Sequence, residues 1–319
     1  MSEPDQRSTE HSSAGRTEPR DDVAPTEVRW KKPALLLGAT VLAVFVTEAM
    51  RTLPEGQELG WSTILGNVPN AWTFAVPLMA ILLAHELGHY VAARWHRVPA
   101  SLPYFIPLPA LSPFGTMGAV ISMPGRIRSR DALLDIGAAG PLAGMVVAVP
   151  VLIVGLGQSE VRELSGPALQ EGNCLLYMLL KRLVVGPIPP GHDVWISPAA
   201  FAGWAGLLVT ALNMLPIGQL DGGHIAYALL GERQNRVARV LHWALPAVFL
   251  YNLWAFGQME PGLVWLVWFG LLFLLKRFSG DNHPPTEPGQ LSPVRRAIAI
   301  GCILLFVLLF MPTPIRIID

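Results

Sequence analysis

Charge is what this chain has least of. Asp, Glu, Lys and Arg make up 14% of its 319 residues, where a soluble domain carries about 25%. With 52% hydrophobic residues and a mean hydropathy of +0.43, the shortfall excludes an ordinary soluble domain and points to a polytopic membrane protein. Net charge is also missing, since 23 basic residues balance 23 acidic ones. No basic surplus remains for nucleic acid, and no nucleic-acid partner is expected. Cysteine is nearly absent. Cys174 and Cys302 lie far apart in apolar surroundings, which excludes a disulfide framework or a thiolate metal site and leaves them as packing residues. No internal repeat of the kind that transporters carry is present. Residues 1–30 contain no apolar run, so no signal peptide is expected within them. Their Ser, Pro, Asp and Glu content suggests a disordered cytoplasmic tail.

What the chain does have is apolar runs. A spanning helix needs roughly 20 mostly apolar residues. Candidates cover about 33–50, 70–94, 136–156, 197–217, 239–257, 261–276 and 297–312. Residues 174–185 are shorter, end around Lys181 and Arg182, and read as interfacial. Basic residues concentrate before the first run and between the second and third, fourth and fifth, and sixth and seventh. The positive-inside rule then puts the N-terminus in the cytoplasm and the C-terminus outside. The expected organisation is a tail over 1–30 and a multi-pass membrane domain over 31–319, with its core at about 70–231. The membrane would be the cell inner membrane if the source is bacterial.

Residues 101–125 are apolar yet contain five prolines, which excludes a regular helix. Irregular backbone at membrane depth is tolerated only where protein or a wet cavity covers it. Residues 116–123, TMGAVISM, fit a short strand inside such a re-entrant segment. The predicted fold is therefore all-α and polytopic, with about six to seven transmembrane helices and a short re-entrant β-like segment that follows the second of them.

The second apolar run contains HELGH, residues 85–89. A carboxylate and two imidazoles placed in hydrocarbon are costly and mark function by default. On a helix, His85 and His89 share a face and can turn a ring nitrogen each to one ion, for which zinc is the fitting metal. Glu86 lies beside that face, placed to take a proton from water at the ion. A catalytic zinc normally has three protein ligands. Asp221 is the candidate for the third, because Pro216, Gly218, Gly222 and Gly223 should unwind the end of the fourth run at about the depth of His89. Asn213, two turns earlier, is placed to stabilise an oxyanion. His224 is a lesser candidate for a supporting or electrophilic role. His96, His242 and His283 read as ordinary interfacial or loop histidines, and residues 190–193 as an outer turn. Gly137, Gly140 and Gly144 allow close helix packing.

HELGH (85–89), NMLPIGQLDGGH (213–224), FGTMGAVISM (114–123) and DIGAAGPLAG (135–144) together resemble the site-2 protease family of intramembrane zinc metalloproteases. The segment Gly115, Thr116, Met117, Gly118, Ala119 is similar to the branch with plastid and some bacterial members. No stretch is long enough for the PDZ insertion found in other members. The resemblance implies one Zn2+ per chain held by His85, His89 and Asp221, with Glu86 as base and Asn213 near the metal. It also implies regulated cleavage of a membrane-spanning protein substrate. That substrate must unwind, and a strand edge at Gly115, Thr116, Gly118 and Ala119 is the expected place for it to pair. Two alternatives are an inactive metal-binding homologue acting as a scaffold or chaperone, and another class of membrane zinc endopeptidase. The intact Glu86 argues against the first and Asp221 against the second.

Overall fold

The computed structural model describes residues 30–318 apart from 54–55, 57–59, 110, 124–126, 128, 165, 167, 280–282 and 288. Residues 1–29 of the expected tail lie outside the described residues. In chain order the helices are α1 (Lys31–Arg51), α2 (Trp61–Asn67), α3 (Trp72–Trp95), α4 (Arg130–Gly157), α5 (Leu175–Val184), α6 (Pro198–Asn213), α7 (Asp221–Leu230), α8 (Arg233–Phe256), α9 (Glu260–Ser279) and α10 (Pro293–Leu309). The strands are β1 (Tyr104–Pro107), β2 (Thr116–Val120), β3 (Glu160–Glu163), β4 (Ala168–Glu171), β5 (His192–Trp195) and β6 (Ile315–Ile318).

Each apolar run predicted from sequence contains a helix, although α6 stops at Asn213, short of 217, and α10 at Leu309, short of 312. Three helices, α1, α3 and α4, are long and apolar enough to cross a membrane, and α6 is a shorter apolar helix. Local chemistry sets several starts. The Ser129, Ser197 and Ser292 side chains accept from the backbone N–H three residues on, at the heads of α4, α6 and α10. Pro198 and Pro293 follow as first-turn prolines, where no N–H is needed.

Helices α3, α4 and α6 form the centre. Nearly all of α6 is buried, including Trp204, Ala205 and Leu207 at 0% exposure; a helix apolar all round has no face to give to solvent. Gly203 meets the Leu152 backbone of α4, and Gly206 meets Ile81 of α3 and Ala148 of α4. Both cysteines are buried and unpaired.

The helix ends sort into two groups. At one end, Arg51, Gln158, Ser197 and Ile315 line a common cavity. At the other, His96, Asp135, Asp131 and Arg295 are joined by ion pairs. Thus α1 and α4 end where α6 begins, and α3 ends where α4 and α10 begin.

The expectation of a single β-like segment needs correction. Among the described residues there are three two-stranded antiparallel ribbons, β1–β2, β3–β5 and β4–β6. Only the first lies in the proline-rich segment, with Tyr104 opposite Val120 and Pro107 opposite Thr116. The other two form in the connection between α4 and α6 and from the segment after α10. Four-residue strands carry too little alternation to be read locally, and these exist through long-range pairing.

Candidate metal centre

On α3, His85 and His89 are 4% and 9% exposed, and Glu86 between them is 6% exposed. The glycines of α4 make the room. A Cβ on Gly140 would overlap the His89 ring, and one on Gly144 would lie 3.3 Å from His85 Nδ1. Gly88 of α3 has the Ala139 carbonyl where its Cβ would be. Gly140 and Gly144 are therefore the surface on which the two histidines are seated, in addition to their packing role, while Gly137 faces His224 and the Asp221 carbonyl of α7.

Helix α6 ends at Asn213, and Asp221 opens a separate helix, α7. The turn between them has Gly218 at φ +58°, a left-handed conformation suited to glycine. A Cβ on Gly222 would strike the Met214 carbonyl, so the first turn of α7 folds directly onto that turn. Asn213 and Asp221 thus stand on two helices rather than two turns apart on one.

This break brings Asp221 to the histidines. His85 Nε2 lies 3.2 Å from Asp221 Oδ2, His89 Nε2 lies 3.2 Å from Asp221 Oδ1, and the two Nε2 atoms are 3.2 Å apart. His89 Nδ1 donates to the Ile136 carbonyl at 2.7 Å. A carbonyl can only accept, so in the neutral ring Nε2 holds a lone pair. Lone pairs from His89 Nε2 and the carboxylate then face each other, an arrangement that calls for a cation between them. Ligand atoms around a tetrahedral zinc with bonds of 2.0–2.2 Å stand roughly 3.3 Å apart. Two imidazoles and a carboxylate are also zinc-type donors. The trio can hold a metal ion.

Glu86 opens onto a cleft of about 510 Å³ that also takes in His85 and Asn213. Asn213 Nδ2 is 3.5 Å from His85 Nε2. The remaining walls are largely apolar: Leu78 and Leu82 of α3, Leu208 and Leu212 of α6, strand β2, and Val264, Val267 and Trp268 of α9. Of the four residues predicted to contact substrate, Thr116, Gly118 and Ala119 line the cleft. Gly115 is not among its lining residues. It turns at φ +75°, with its Cβ position 2.7 Å from the Ala43 carbonyl oxygen, and so faces α1. Met117, 54% exposed, lines the cleft instead. Sequence reasoning assigned no role to Met117, although it lies within the 114–123 segment, and missed the α9 wall, which carries no motif.

Outside the motif, His283 lies in a loop as expected, but it and His242 are more buried than ordinary interfacial or loop histidines. His283 is 5% exposed and His242 is 2% exposed. His283 Nε2 lies 2.8 Å from His224 Nδ1, and the His242 ring stacks on Phe269. His96 pairs with Asp135 at 2.8 Å. At 190–193, Gly191 makes a turn, while His192 and Asp193 begin β5. Asp193 is part-buried and pairs with Lys181 at 3.2 Å.

Comparison with known proteins matches residues 73–250 to peptidase family M50. The chain is 33% identical over 240 residues to the probable zinc metalloprotease EGY2, chloroplastic, of Oryza sativa subsp. indica, covering 74% of this chain and 41% of that protein. It is 30% identical over 274 residues to the probable zinc metalloprotease EGY1, chloroplastic, of Arabidopsis thaliana, covering 84% of this chain and 47% of that protein. The chain therefore spans less than half the length of these curated relatives. Their names place those proteins in chloroplasts, not in a bacterial inner membrane. The matched segment contains HELGH, the β2 hairpin and the turn into Asp221, and the chain belongs to peptidase family M50.

Proposed function

We propose that this chain is a zinc metalloprotease that cleaves a membrane-spanning protein substrate at membrane depth. The observation that carries the reading is the 3.2 Å triangle of His85, His89 and Asp221, buried among apolar helices beside Glu86. In this reading His85, His89 and Asp221 are the zinc ligands. When bound, zinc supplies Lewis acidity, bringing the pKa of water toward neutrality and polarising a carbonyl. Glu86 takes the proton from the attacking water and delivers it to the leaving amine. The Asn213 side-chain N–H groups donate to the carbonyl oxygen as negative charge develops there.

The cleft supports a peptide held in extended form. Its apolar walls suit a hydrophobic segment, and β2 offers one edge beyond its pairing with β1. Thr116, Met117, Gly118 and Ala119 are the contact residues in this reading. Residues 31–319 act as one membrane domain with its catalytic core at about 70–231. Six to seven of the helices cross the bilayer in alternating directions, and the N-terminus and the metal centre lie toward the cytoplasmic side. Support comes from large apolar side chains left exposed on α3, α4, α8 and α10, such as Val91, Val146, Leu250 and Leu304, and from the two groups of helix ends.

The test is metal analysis and a membrane-substrate cleavage assay on protein purified in detergent, comparing wild type with Glu86→Gln. The variant should retain zinc and lose cleavage. Equal cleavage by both would remove Glu86 from the mechanism.

A further inference from the structure

His283 lies in the connection between α9 and α10, yet it is held by four separate contacts. Its ring stacks on Tyr227 of α7 with centroids 4.2 Å apart and planes at 18°. Its backbone N–H donates to Asn235 Oδ1 of α8 at 3.0 Å. Its Nδ1 lies 2.8 Å from the Pro284 carbonyl, and its Nε2 lies 2.8 Å from His224 Nδ1. The carbonyl can only accept, so His283 Nδ1 holds the proton and Nε2 is a lone pair. His224 must then donate through Nδ1, which leaves its Nε2 unprotonated. One loop carbonyl sets the tautomers of both rings.

His224 belongs to the first turn of α7, the turn that carries Asp221. Its backbone N–H donates to the Leu220 carbonyl at 3.0 Å. Its Cβ lies 2.9 Å from the Cβ position of Gly137, and the Asp221 carbonyl oxygen lies 3.3 Å from that same point. His224 and Asp221 therefore rest on one spot of α4, and a shift in either moves the other. The α7 turn is short, and Asp221 must meet both histidines at once.

We propose that His283 is a positioning residue of the metal centre. By holding His224 it fixes the first turn of α7, and with it the placement of the Asp221 carboxylate against His85 and His89. His283, in the connection between α9 and α10, is then a working part of the site. The proposal rests on the assignment of His85, His89 and Asp221 as zinc ligands.

The test is zinc affinity, measured by chelator competition on the full chain in detergent. His283→Phe keeps a ring to stack on Tyr227 and removes the acceptor for His224. It should weaken zinc binding roughly tenfold, the low end of what outer partners of metal ligands contribute. His283→Gln supplies a side-chain oxygen that can accept from His224 and should restore most of the affinity. In a His224→Ala background, His283→Phe should cause no further loss. The proposal is overturned by wild-type affinity in His283→Phe, by His283→Gln as weak as His283→Phe, or by losses that simply add in the double variant. Where His283→Phe does not fold, Asn235→Ala keeps both imidazoles but releases the His283 backbone N–H from α8, which loosens the hold of His283 on His224. Weaker zinc binding is expected there too, and unchanged binding overturns the proposal. Failure of the ligand assignment is recognisable separately, because His85→Ala would then bind zinc as tightly as wild type.

Discussion

Gly140→Ala adds one methyl group to α4 at the point where α3 seats a histidine. The added carbon would overlap three atoms of the His89 ring, Nε2, Cδ2 and Cε1. Ordinary contact between such atoms is about 3.5–4.0 Å, so the ring must retreat by more than about an ångström. It cannot pivot freely, because Nδ1 is bonded to the Ile136 carbonyl at 2.7 Å on the same helix. A metal site tolerates about 0.2 Å in a ligand bond, several times less than the required shift. Overpacking of this kind costs roughly 1–3 kcal/mol in stability, but the larger expected consequence is loss of one of the three proposed ligands. Metal analysis of the purified variant should give far less than one zinc per chain, and cleavage should fall with it. Gly301→Ala in α10 is the control, since nothing lies within 4 Å of its Cβ position; it should keep wild-type zinc and activity. A Gly140→Ala protein with full zinc and full activity would refute the seating of His89 on α4.

Ala119→Lys puts a charge into the apolar cleft beside β2; kcat/KM for a membrane substrate should fall at least tenfold with zinc content unchanged, and joint loss of zinc would mean the hairpin supports the metal instead. Zinc should raise the unfolding temperature of the metal-free protein, by an amount equivalent to about 2.7 kcal/mol at a hundred times the Kd, and His85→Ala should remove the shift. Asp193 supports a pH-dependent contribution outside the helices. Burial pushes its carboxyl up, but hydrogen bonds from Gln170 and the Val194 N–H and the charge of Lys181 outweigh this and hold its pKa below the usual 3.8. Stability from this group is complete above that ordinary value and disappears as pH falls through the lower folded value. The wild-type advantage over Asp193→Asn in a thermal melt should therefore shrink below about pH 3.8, and a difference constant down to the lowest pH would refute the assignment.

The helical runs and the chemistry-bearing residues were legible in the sequence because their signals are local. Hydropathy over some twenty residues marks a candidate span, and four-residue spacing puts His85 and His89 on one face. Prolines and glycines announce the break before Asp221 and exclude helix from 101–125. What was not legible depends on segments far apart in the chain. His224 and His283 are 59 residues apart, and loop composition around His283 gives no hint that its ring is buried on Tyr227. β4 and β6 pair across most of the second half of the chain, and strands of four residues carry no pattern long enough to announce it. Gly115 and Met117 stand two residues apart, and only the packing of α1 decides that the first faces a helix and the second the cleft.

The sequence by itself determined the residue types of the proposed metal centre, their helical spacing and the apolar setting in which they sit. Tertiary structure alone decided that Asp221, 136 residues from His85, arrives within 3.2 Å of it. It also decided that the α4 glycines make room for the imidazoles and that α9 supplies the far wall of the cleft. The reason is geometric. A helix fixes the relation between residues four apart, whereas a third ligand, a seat and a wall come from elements whose relative placement is set only when the whole core packs.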